Sequence, residues 1–95
     1  MSDLTAAGND IIYATGDDTI YATGHATVCA YDNTTVHADG YVHIAANGNA
    51  TIYAGGWCHV NAFDDSHVEA YGFCTVLLHD RATVTLHDNA AIAKW

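Results

Sequence analysis

Stepping through the chain eight residues at a time from Ile12 meets a β-branched residue at every stop. The stops are Ile12, Ile20, Val28, Val36, Ile44, Ile52, Val60, Val68, Val76, Val84 and Ile92. Two residues after each stop come Ala14, Ala22, Ala30, Ala38, Ala46, Ala54, Ala62 and Ala70, then Leu78, Leu86 and Lys94. The residue before each stop is usually Thr, with His43, His59 and His67 as variants, and four residues before stands Gly or Asp every time, from Gly8 to Asp88. The unit reads Gly/Asp-x-Ala-Thr-Val-x-Ala-x. In Ala-Thr-Val-x-Ala the first, third and fifth side chains share one face of a strand. That face is small and apolar, while Thr and the variable residue point outward. β-Branched residues favour strands, and the Gly, Asp and Asn positions supply turns. The same punctuation would break a helix every second turn, so a helix is excluded.

Eight residues are too few to close a coil around an interior. Sixteen give two strands and two turns, and alternate octads should then differ. In one set the turns read Gly8-Asn9, Gly24-His25, Gly40-Tyr41, Gly56-Trp57, Gly72-Phe73 and Asp88-Asn89. In the other they read Gly16-Asp17, Asp32-Asn33, Gly48-Asn49, Asp64-Asp65 and Asp80-Arg81. Aromatic residues occur only in the first set. The pattern predicts an all-β chain, a two-sheet parallel β-solenoid of 16-residue coils made of two octads. It forms one domain over residues 1–95, with 1–7 as a lead-in and 8–95 as eleven octads. About five and a half coils at a strand spacing of ~4.8 Å make a stack roughly 26 Å tall. One long edge is then acidic, with Asp17, Asp18, Asp32, Asp64, Asp65 and Asp80. The opposite edge carries glycines and a ladder of His25, Tyr41, Trp57 and Phe73.

Charge narrows the partners. Eleven Asp or Glu stand against two Lys or Arg, a formal −9. Direct binding of nucleic acid needs cations at the phosphates, so it is not expected. A basic partner suits the charge. The N-terminus has no basic and apolar signal pattern, and no apolar run approaches the ~20 residues of a membrane helix. Three cysteines without a disulfide-framework spacing point to a reduced, cytoplasmic protein.

The run Ala22-Thr23-Gly24-His25-Ala26-Thr27-Val28-Cys29-Ala30-Tyr31-Asp32 resembles the octapeptide arrays of some bacterial and phage proteins, where units such as Ala-Tyr-Asp-Ser-Ala-Thr-Val recur in tandem. The resemblance implies the solenoid fold and little about activity. The first octads also resemble calcium-binding nonapeptide β-rolls: Gly8-Asn9-Asp10-Ile11-Ile12-Tyr13, then Gly16-Asp17-Asp18-Thr19-Ile20-Tyr21. A calcium roll needs an Asp in every such turn. Here the equivalents of Asp10 and Asp18 become Ala26, Thr34, Val42, Ala50 and Cys58. Calcium is a lesser alternative, with Asp10 and Asp18 as its candidates.

Other chemistry is sparse. His43 and His59 fall one coil apart on an outward face near Asn61, but a zinc site wants three or four convergent ligands. They read as His in the Thr slot, and no metal or cofactor is expected. Cys58 and Cys74 take equivalent inward positions and read as reduced core residues. The one Glu, Glu69, lies on a flat strand, and Asp64-Asp65 with His67 have no cleft around them, so no enzyme is expected. Ice binding, which uses Thr-x-Thr faces, finds only Thr83-Val84-Thr85.

What is expected is a non-enzymatic acidic scaffold that binds another protein. Its sharpest form is a DNA mimic, encoded by a bacterium or phage, that inhibits a nucleic-acid-binding complex of nuclease or CRISPR type. The alternative is a structural repeat segment of a phage tail or bacterial surface protein. Partner contacts fall to the acidic edge and to Tyr41, Trp57 and Phe73. A homodimer is expected through the C-terminal coil, with Ile92 and Trp95 in the contact.

Overall fold

The computed structural model describes residues 3–87 and 91–94, with side chains described over 4–87. Twelve four-residue strands follow one another among these residues. They are β1 (Asp3–Ala6), β2 (Ile11–Ala14), β3 (Thr19–Ala22), β4 (Thr27–Ala30), β5 (Thr35–Ala38), β6 (His43–Ala46), β7 (Thr51–Ala54), β8 (His59–Ala62), β9 (His67–Ala70), β10 (Thr75–Leu78), β11 (Thr83–Leu86) and β12 (Ala91–Lys94). Odd strands build one parallel sheet in the order β1-β3-β5-β7-β9-β11. Even strands build the other, β2 to β12. Every pairing joins residues sixteen apart, such as Ile20 with Val36 and Ile44 with Val60. The chain is thus a β-solenoid of 16-residue coils, as the octad alternation requires.

Period-two alternation decides which side chains face inward. Ile20, Val36, Ile52 and Val68 from one sheet and Val28, Ile44, Val60 and Val76 from the other are at most 2% exposed. The alanines two residues later, Ala14 to Ala70, are buried alongside them. A third inward slot, just after each turn, holds Ala26, Thr34, Val42, Ala50, Cys58, Ser66 and Cys74, all buried. Small side chains fill the alanine slots because the two sheets approach closely there.

The lead-in is built into the coil. Asp3–Ala6 is a strand of the sheet, paired in parallel with β3 so that Leu4 stands against Ile20. Leu4 lies eight residues before Ile12 and packs against the core although it is not β-branched. The repeat therefore begins one strand earlier than the β-branched series suggests.

Turns are locked by the coil beneath them. At each turn among the described residues the first residue takes a positive φ: glycine at 8, 16, 24, 40, 48, 56 and 72, and Asp at 32, 64 and 80. The next residue donates its N–H to the carbonyl of the corresponding turn one coil earlier. His25, Tyr41, Trp57 and Phe73 do so along one edge, at 2.7–2.8 Å. Asn33, Asn49, Asp65 and Arg81 do so along the other, at 2.8–3.0 Å. The turns are therefore rungs of the ladder, and their outward side chains are held at fixed spacing.

Candidate interaction surfaces

A two-sheet coil presents two edges and two flat faces. The first edge gathers six of the eleven acidic residues. Three of its carboxylates are committed to the backbone. Asp32 accepts the Gly16 N–H at 3.2 Å, Asp64 accepts the Gly48 N–H at 3.0 Å, and Asp80 accepts the Asp64 N–H at 3.1 Å. Each carboxylate reaches back one coil and satisfies a turn donor that would otherwise face water. This explains how Asp replaces glycine at positive φ on this edge, since Asp tolerates that region and its side chain gains a partner. Asp65 pairs with Arg81, whose Nε lies 2.9 Å from Oδ1. The Arg81 side chain is 83% exposed, so the pair is worth little to stability. Asp17 and Asp18 lie at the first turn of the row, Asp17 exposed and Asp18 half-buried in the slot that later turns fill with Thr34, Ala50 and Ser66.

The opposite edge holds the aromatic ladder as two stacked pairs. His25 lies on Tyr41 at 5.1 Å and Trp57 on Phe73 at 4.5 Å. Tyr41, Trp57 and Phe73 stay about half exposed. Stacking turns their faces toward each other and leaves their edges to solvent.

Further ring columns of this kind stand elsewhere on the coil, unmarked by the octad pattern. On the outer face of the odd sheet, His37 is sandwiched between Tyr21 and Tyr53 at 5.2 and 5.0 Å. Phe63 stacks on His79 and Tyr71 on His87. The signal for all of them is an aromatic residue sixteen positions from a histidine. The Thr column of that face, Thr19, Thr35 and Thr51, is broken by His67, whose Nδ1 lies 2.8 Å from the Thr83 hydroxyl.

The outer face of the even sheet carries His43 beside His59, ring centroids 5.7 Å apart and tilted by 53°. Next to them is a hollow of about 160 Å³ lined by Thr27, Val28, Cys29, His43, Ile44, Ala45 and Asn61. Among the described residues no three His, Cys, Asp or Glu side chains gather into a metal-binding group. The two calcium candidates fall on opposite edges. Asp10 follows the Gly8 turn and Asp18 the Gly16 turn, and the Asp10 carboxylate accepts the Ala7 N–H at 3.1 Å.

The three cysteines are free. Cys58 and Cys74 are each 1% exposed, one coil apart under the aromatic edge. The Cys58 thiol donates to the Gly55 carbonyl at 2.9 Å. A hydrogen bond shared with Cys74, and then burial, pushes the Cys58 thiol well above the usual thiol range. Cys29 is half-buried on the outer face. A thiol-specific reagent should therefore modify Cys29 first and reach Cys58 and Cys74 only on unfolding. Mass spectrometry of partially labelled protein checks this, and early labelling of either buried cysteine would contradict the packing.

Of the dimer-contact residues, Trp95 lies outside the described residues. Ile92 belongs to β12, opposite Val76, and its side chain is likewise outside them. No helix among the described residues is long and apolar enough to cross a membrane. A scan against protein-family models, a search of curated proteins and a search of solved structures each return no match.

Proposed function

We propose that the chain is a non-enzymatic display scaffold whose acidic edge docks a basic surface of another protein. The observation that carries this reading is the placement of six carboxylates, Asp17, Asp18, Asp32, Asp64, Asp65 and Asp80, along one edge whose turns are hydrogen-bonded coil to coil. A row of like charges on a stiff edge attracts a cationic surface without reorganising on contact, which favours fast, salt-sensitive association. Mimicry of nucleic acid, blocking a nuclease or CRISPR-type complex in a bacterial cytoplasm, is the narrower form of the proposal. Six carboxylates over about 19 Å, four strand spacings, is about one charge per 3–4 Å, close to the 3.4 Å of a single nucleic-acid strand and sparser than the 1.7 Å of a duplex. The edge thus resembles one phosphate strand better than two.

A second reading is a structural repeat segment. It is favoured by the bonds from Asp32, Asp64 and Asp80 to turn N–H groups, which give half of the acidic row a purely structural use. A pulldown from bacterial lysate, eluted with rising salt, separates the two. The scaffold should retain a basic protein at low salt and release it between about 50 and 200 mM. If that protein binds nucleic acid and duplex or single-stranded DNA displaces it, mimicry is supported. A bait that retains nothing supports the structural segment.

A further inference from the structure

One column of the aromatic edge lacks a rung. The residue that follows each odd strand stands over its counterpart one coil earlier, giving the series Ala7, Thr23, Asp39, Gly55, Tyr71 and His87. Backbone bonds of 2.8 Å, from the Gly55 N–H to the Ala38 carbonyl, from Tyr71 to Ala54 and from His87 to Ala70, hold the later members in line. Among the described residues Gly55 is the one glycine without a positive φ, so the turn does not require glycine there. What glycine supplies at this rung is space. Beyond its chain neighbours, an added Cβ would meet Asp39 Oδ1 at 3.7 Å and the Ala38 carbonyl oxygen at 3.8 Å, both ordinary contacts.

The empty rung has a carboxylate on one side and an aromatic ring on the other. Asp39 is exposed, and its Oδ1 accepts the Gly40 N–H at 2.9 Å. The same oxygen lies 3.1 Å from where a Cβ on Gly56 would stand, so the carboxylate leans toward the next coil. Tyr71 stacks on His87 at 4.3 Å, which turns the other face of its ring toward Gly55. Asp39 and Tyr71 are two strand spacings apart, about 9.6 Å, so the interval takes one planar group. Elsewhere the coil fills such an interval itself: His37 lies between Tyr21 and Tyr53 at 5.2 and 5.0 Å. On the opposite edge Arg81 stands one rung after Asp65 and pairs with both of its oxygens, through Nε at 2.9 Å and Nη2 at 3.1 Å. An arginine one rung after an aspartate is therefore a pairing that this fold already makes.

We propose that the rung at Gly55 receives an arginine side chain of a partner protein, whose guanidinium pairs with Asp39 and stacks on Tyr71. A guanidinium is planar, always charged and able to lie on an aromatic face while it grips a carboxylate, whereas an ammonium is a strongly hydrated point charge. One strand spacing, about 4.8 Å, from the Tyr71 ring, it lies within the ~6 Å reach of cation–π attraction. Trp57, two residues on in the same turn and 55% exposed, borders the opening and offers apolar area to the segment that carries the arginine. Among the described residues no lysine or arginine of the chain itself pairs with Asp39; Arg81 is on the other edge. The site is separate from the acidic row and stands or falls without it.

The test is a titration of the full, reduced chain with tetra-arginine and, separately, with tetralysine, followed by NMR shifts of the backbone amides. Tetra-arginine should shift Gly55 and Tyr71 saturably, and tetralysine should need a several-fold higher concentration to do so. Asp39→Asn keeps an acceptor for the Gly40 N–H but loses the charge. It should weaken the Gly55 response by about fivefold, the upper end for an exposed ion pair. Asp17→Asn makes the same change of charge on the other edge and should leave that response as it is. Gly55→Arg fills the rung from within, so it should hold or raise the wild-type Tm and remove the response at Tyr71. No shift at Gly55 and Tyr71 with millimolar tetra-arginine overturns the proposal. So does equal potency of the two peptides, or a Gly55 response that survives Asp39→Asn, since unspecific attraction to an acidic protein would account for either. A lowered Tm in Gly55→Arg also overturns it, because the rung would then have no room for the side chain.

Discussion

Gly56→Ala should destabilise the protein by about 2–4 kcal/mol in chemical denaturation. Gly56 sits at φ +74, where an L-residue costs roughly 1–2 kcal/mol. Its added Cβ would lie 2.8 Å from the Gly40 nitrogen and 2.9 Å from the Gly40 oxygen. Those are backbone atoms, and the same oxygen accepts the Trp57 N–H at 2.7 Å. Relieving the clash loosens that rung, which adds about 1–2 kcal/mol. The acidic edge has a different solution at the equivalent turn position. Asp64 and Asp80 stack over other turns at positive φ and recover a hydrogen bond to the turn beneath. Gly48→Asp should therefore cost much less than Gly56→Ala, because its carboxylate can reach the Asp32 N–H as Asp64 reaches Gly48. Equal losses in the two variants would mean that the carboxylate bonds do not support the turns.

Ala54→Leu should cost about 1–3 kcal/mol by overpacking the space between the sheets. Ala54 is fully buried, flanked in register by Ala38 and Ala70. A leucine there has to push the facing sheet away or leave its preferred rotamer. The chain does place leucine in this slot at Leu78 and Leu86, but those are half-buried and 40% exposed respectively, in the last coils described. For a domain of this size each kcal/mol lowers Tm by roughly 4–8 °C. A variant that melts at the wild-type temperature would contradict a core narrowed by alanine.

The sequence made the coil legible because one constraint repeats at every turn. Ile20, Val36, Ile52 and Val68 must all be apolar and strand-compatible, and each lies sixteen residues from its neighbour in the sheet. The alternation of turn residues then separated the two edges. The first strand escaped the pattern because Leu4 is not β-branched. Its place is fixed instead by backbone pairing with β3, which no single residue type advertises.

The surfaces were legible in part. Asp17, Asp32, Asp64 and Asp80 were placed on one edge by position alone. That Asp32, Asp64 and Asp80 bond to backbone N–H groups was not visible, since it depends on the carboxylate reaching back one coil at positive φ. The stacks of His37, His79 and His87 on aromatic partners were hidden for a related reason. A sixteen-residue spacing carries meaning only once strands are known to pair at that distance. The hollow beside His43 was hidden because Ala45 contributes by what it lacks.

The most direct test of the acidic edge compares capture of a basic partner by the wild-type chain and by the variant Asp17→Asn/Asp18→Asn/Asp65→Asn. No hydrogen bond from these three carboxylates to the backbone is seen among the described residues, unlike those of Asp32, Asp64 and Asp80. The variant should keep nearly the wild-type Tm and lose the salt-sensitive capture. Capture at wild-type strength in a folded variant would contradict the proposal that this edge binds the partner.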